Sequence, residues 1–66
     1  MSMQIAEFEW IKRNRDKLSS EDHQTLEHWG VFDMIKTGQV HMPAMEFVKV
    51  LSVVDEIVAR NMREVQ

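Results

Sequence analysis

Residues 43–65 read PAMEFVKVLSVVDEIVARNMREV, and within them Phe47, Leu51, Val54, Val58 and Val65 recur at steps of four, three, four and seven. At about 100° per residue these positions stack on one stripe of an α-helix. Ala44, Val48, Val50, Val53, Ile57 and Met62 widen the stripe on both sides, to roughly 200–220° of the circumference, against roughly 100–140° for an ordinary surface helix. An apolar arc of that width needs more than one neighbour to shield it from water. The β-branched cluster Val48 to Val54 does not read as a strand, because it lies inside a sustained helical period with no turn residues beside it. The stretch therefore predicts a long C-terminal helix over about 43–65, with Pro43 in the first turn, where a missing N–H costs nothing.

Upstream, the remaining strong punctuation is Gly30 and Gly38. Ile5, Phe8, Ile11 and Leu18 share one side of a helix predicted over about 3–18, with Trp10 off that stripe, near Met3, Ala6 and Asn14. Ser19-Ser20-Glu21-Asp22 supplies hydroxyl caps followed by carboxylates that suit the positive end of a helix dipole, so a second helix is predicted over about 20–36. Thr37-Gly38 stops it, since Gly takes the left-handed conformation past a last turn. Gly30 interrupts its interior at a cost of roughly 1 kcal/mol, which predicts either a bend or break there or the close passage of another backbone. The short links between helices favour antiparallel neighbours. The fold class is all-α: a single domain over 1–66, a small three-helix or helical-hairpin bundle with a long C-terminal helix, dimerising through it.

Dimerisation is also what the chain length suggests. At 66 residues a single core yields only a few kcal/mol of net stability. With no cysteine in the chain, disulfides and thiolate metal sites are excluded, and self-association remains as the staple. The N-terminal MSMQIAEFEW has no basic leader and no apolar run of signal-peptide length. Glu46, Lys49, Asp55, Glu56 and Arg60 interrupt the only apolar stretch long enough to be weighed as a membrane span. A cytoplasmic protein with no membrane association is expected. The net charge of −3 argues against general affinity for polyanions.

Chemical signatures are sparse. His23, His28 and His41 do not fall at the i, i+4 spacing that places two imidazoles on one helix face, and no HEXXH is present. Ser19, Ser20 and Ser52 have no base with an orienting third group. The eleven carboxylates lie mostly among basic residues on solvated faces. No catalytic residue, metal ligand or cofactor is expected, and the chain is not read as an enzyme. Lys12-Arg13-Asn14-Arg15-Asp16-Lys17 is the densest basic run, but on one continuous helix its cations scatter around the whole circumference, as at a solvated helix end.

Met34-Ile35-Lys36-Thr37-Gly38 through Pro43 to Leu51 resembles the end of a repressor-type helix-turn-helix domain: a helix closed by Gly, a link carrying Pro, then an apolar helix. The resemblance covers about 18 of the 66 residues. It implies a DNA-binding regulator that would contact duplex through Lys12, Arg13 and Arg15. The chain departs from that pattern in placing Trp29, Gly30, Val31 and Phe32 where such a domain has polar base readers, and in showing no turn upstream of them.

The first expectation is instead a small regulator or inhibitor that binds a larger protein, similar by class analogy to phage-encoded inhibitors and antitoxin-like modulators. Its dimer seam is expected at Phe47, Val50, Leu51, Val54, Ile57, Val58, Asn61 and Met62, with Asn61 setting the register. Trp10, Met3, Trp29 and Phe32 are expected to meet the target, because Trp and Met are enriched where a surface anchors on a partner.

Overall fold

A computed structural model describes residues 5–64; the expectations placed on Met3 and Val65 fall outside them. Four α-helices follow in order, α1 Ala6–Arg13, α2 Ser20–His28, α3 Val31–Thr37 and α4 Ala44–Glu64, with a 3-10 turn at Arg15–Lys17 and no strand among the described residues. At 1.5 Å per residue α4 is about 31 Å long, nearly the whole 34 Å long axis of the molecule.

Local chemistry accounts for the boundaries. The Nδ2 of Asn14 donates 2.8 Å to the Trp10 carbonyl, which also accepts the Asn14 backbone N–H at 2.9 Å. A short amide side chain that competes for its own helix's carbonyls favours termination, so the single helix predicted over 3–18 ends at Arg13 and continues as a 3-10 turn. Ser19 caps α2 by accepting the Asp22 N–H on its Oγ at 3.1 Å, and Glu21 and Asp22 occupy the first turn. Gly38, at φ 71°, donates 2.8 Å to the Met34 carbonyl and closes α3. Beyond it the Thr37 hydroxyl donates to the Asp33 carbonyl, accepts the Gln39 N–H and lies 2.9 Å from His41 Nε2, so one side chain organises the link to α4.

Gly30 divides the helix predicted over 20–36. Its φ of 75° is left-handed, and a Cβ placed on it would meet nothing within 4 Å. The glycine is therefore required for the break and not for the approach of another backbone. Trp29-Gly30 thereby forms a turn between α2 and α3, for which one left-handed residue suffices. Gly30→Ala is expected to destabilise the fold by about 1 kcal/mol although Ala is the better helix former, because an L side chain pays roughly 1–2 kcal/mol in that conformation. A lower urea midpoint checks this; a higher one would mean that α2 and α3 fuse at no cost.

The core draws on every helix: Phe8 and Ile11 from α1, Leu26 from α2, Val31 and Met34 from α3, and Val50, Val54, Ile57 and Val58 from α4. Phe8 meets the half-buried Phe47 edge-to-face, with centroids 6.3 Å apart at 70°. At the other end of α4, Asp22 meets Arg60 and Asn61. These two contacts are separated by about 20 Å of helix at 1.5 Å per residue, so the chain from α1 to the start of α2 runs along most of the length of α4.

This packing buries most of the expected seam within the subunit. Of the residues expected there, Val50, Val54, Ile57 and Val58 are buried by the chain's own α1–α3, and Phe47 and Leu51 are half-buried against the same core. The wide arc is accordingly shielded on one side only. Met45 remains 83% exposed, Val48 62% and Met62 53%. Three short helices wrapped in sequence cover the middle of the arc and one flank, where the periodicity alone places a second subunit.

Candidate functional site

Two polar features stand out from the core, one internal and one on the surface. Internally, Asp22 is 7% exposed and is the one buried charged residue among those described. Arg60 Nη2 donates to its Oδ1, and Asn61 Nδ2 donates 3.2 Å to its Oδ2 and 2.7 Å to the Ile57 carbonyl. Burial alone would raise the Asp22 carboxyl; hydrogen bonds from Arg60 and Asn61, the Arg60 charge and the Ser19 hydroxyl outweigh it and hold the group below its ordinary value. Asn61, expected to set the register between subunits, thus fixes how α2 sits on α4 within one. A buried polar residue has that capacity in either setting, and sequence alone does not say which partner it meets.

On the surface, the end of α1, the 3-10 turn, α2 and α3 enclose a groove lined by Lys12, Arg15, His23, Glu27, Gly30, Phe32, Asp33, Ile35 and Lys36. Phe32 is its aromatic element. The Arg15 guanidinium carbon stands 4.5 Å from the Phe32 ring centroid, within reach of a cation–π attraction, and the His23 ring lies 4.6 Å from it at a 36° tilt. His23 Nδ1 is 3.9 Å from Glu27 Oε2, one turn along α2. Lys12, Arg15 and Lys36 set against Glu27 and Asp33 give the rim three formal cations to two carboxylates, a locally positive surface on a chain of net charge −3.

Of the described residues expected at a target surface, Phe32 lines this groove. Trp29 is half-buried and meets the His28 ring edge-on at 5.6 Å. Trp10 is half-buried and packs against the core. Neither tryptophan is among the groove's lining residues, so the three do not gather around it. Lys12, Arg15, His23 and Lys36 are not among the residues that the sequence predicts to meet a protein target, and Lys12 and Arg15 enter its reading only as duplex contacts. Lys12 and Arg15 scatter on one continuous helix; the break after Arg13 changes their relative directions and brings both to the same groove. His23 and Phe32 meet only because the chain reverses at Gly30. The i, i+4 pair His23 and Glu27 was the one signal available in sequence.

Among the described residues no group of three His, Cys, Asp or Glu side chains is arranged to hold a metal ion, and no helix is long and apolar enough to cross a membrane. No protein-family model, curated protein or solved structure matches the chain.

Proposed function

We propose that this protein is a small α-helical interaction module, a regulator or inhibitor that acts by seating part of a larger protein on the groove of α1, α2 and α3. The observation that carries this reading is the groove in which Arg15 and His23 stand against the Phe32 ring and Lys12 and Lys36 join the lining. An aromatic ring bordered by a guanidinium and an imidazole suits an acidic segment that also carries an apolar side chain. The carboxylates would meet the cations, and the apolar group would lie against Phe32 and Ile35. Rim charges of this kind chiefly accelerate association and select partners, while the apolar contact slows dissociation. Trp10 and Trp29, half-buried at other points, contribute fold stability more than target contact in this reading.

The test compares capture from host lysate by the wild-type chain and by Arg15→Glu/Lys36→Glu. Loss of one specific partner in the double variant, with helicity unchanged, is the expected outcome. Equal recovery would remove the groove from the interaction. Trp10→Ala run alongside should retain the partner.

One observation favours a second reading, a DNA-binding regulator. α2, the turn at Trp29-Gly30 and α3 form a helix–turn–helix succession, and Lys12, Arg15 and Lys36 lie beside it. Against it, Val31 and Met34 of the would-be reading helix are buried, leaving Asp33, Lys36 and Thr37 exposed, a small and partly acidic set for base edges. Retarded migration of duplex DNA at low salt, lost in Lys12→Glu/Arg15→Glu, would establish this reading; unretarded duplex would dismiss it.

A further inference from the structure

We infer that the outward face of α4 is an antiparallel self-association surface, built to receive the same face of a second copy of this chain. The pattern is a heptad alternation that the core does not use. Met45, Val48, Ser52, Asp55, Ala59 and Met62 follow one another at steps of three, four, three, four and three, the spacing of a helix-pairing seam. Ser52 lies about 160° around the helix from Val50 and Val54, so this seam is on the far side from the core. All six positions are exposed except Ala59, which is half-exposed.

Charge decides the orientation. In a parallel pair each seam residue faces its own copy, which sets Asp55 against Asp55 in the middle of the contact; like charges so placed are destabilising. In an antiparallel pair Met45 faces Met62 of the second copy, Val48 faces Ala59 and Ser52 faces Asp55, each twice by symmetry. The central carboxylate then receives a hydroxyl donor in place of another carboxylate. Lys49 and Glu56 lie together along one edge of the seam, and the antiparallel arrangement brings the Lys49 of each copy beside the Glu56 of the other. Both are exposed, and neither has an ion-pair partner among the described residues of its own subunit. The two-fold axis falls between Ser52 and Asp55, close to the midpoint of Ala44–Glu64, so the two helices overlap over nearly their full length.

The inference rests on the interaction-module reading only in assigning α4 to self-association; the groove lies on other helices and is tested by a separate readout. Sedimentation of the full chain from 5 to about 500 µM is expected to show a monomer–dimer equilibrium, with one helix face per subunit giving micromolar or weaker affinity. Lys49→Glu should weaken the dimer at least about tenfold, and Lys49→Glu/Glu56→Lys should restore it, because the exchanged pair meets again across the seam. Circular dichroism should not distinguish these exposed-site variants from wild type. Mild oxidation of a mixture of Val48→Cys and Ala59→Cys chains should give the mixed disulfide in preference to either symmetric one. A predominance of the symmetric Val48→Cys product would overturn the antiparallel arrangement, and a monomer at every concentration would overturn the surface altogether. In either of those outcomes, continued capture of the target by the monomer would leave the groove reading intact.

Discussion

Leu26→Ala is expected to leave the chain largely unfolded at 25 °C. Leu26 is 0% exposed, on α2, and belongs to the one cluster that joins all four helices. Removing a buried Leu side chain costs about 2–5 kcal/mol, the loss of transfer free energy plus the cavity left behind. A core in a chain of this length supplies only about 3–5 kcal/mol in total. The substitution thus removes a quantity comparable to the whole stability, and the far-ultraviolet helical signal of the variant should fall to a fraction of the wild-type value. The matched control is Val48→Ala on the outward face of α4, where the change in monomer stability should stay within about 0.5 kcal/mol. Comparable urea midpoints for the two variants would show that Leu26 does not tie α2 into the common core.

The second large effect is a pH-dependent one at Asp22. Asp22→Ala removes the acceptor of Arg60 and Asn61. Hydrogen bonds to a charged group contribute about 1.5–3 kcal/mol; with the Arg60 side chain 43% exposed, solvent screening reduces this to about 1–2 kcal/mol. For a domain of this size that is a fall in Tm of roughly 5–15 °C at pH 7. The sign with pH follows from the direction of the shift. The carboxyl is held below its ordinary value of 3.8 in the folded chain, so the unfolded chain binds the proton more readily as acid is added. The contribution is present in full above the ordinary value and is lost as pH falls through the lower, folded one. The gap between wild type and Asp22→Ala should consequently be widest near neutrality and narrow as the pH is lowered below the ordinary carboxyl value. A gap of constant size across that range would assign the loss to packing around Asp22 instead of to its charge.

These two positions show how unevenly sequence reported the molecule. The helix that carries Leu26 was legible because the Ser19 cap and the first-turn carboxylates are local properties of the chain, whereas the burial of Leu26 itself is decided by packing. Asp22 was legible only as a first-turn carboxylate, since its partners Arg60 and Asn61 lie nearly forty positions away. The groove was hidden for the same reason, together with the termination of α1 at Arg13, which a competing Asn14 side chain produced.

Local chemistry in the chain was therefore sufficient for helicity, for the caps at Ser19 and Gly38, for the interruption at Gly30 and for the length of α4, because each depends on residues within a turn or two of one another. It also set the excess apolar width of α4. Which part of that width faces inward depended on how three short helices pack along it. Burial of Val50, Val54, Ile57 and Val58 within the subunit, the tie from Asp22 to Arg60 and Asn61, and the meeting of Arg15, His23 and Phe32 are all contacts between segments distant in sequence, and hydrophobic periodicity carries no information about which distant segment supplies the cover.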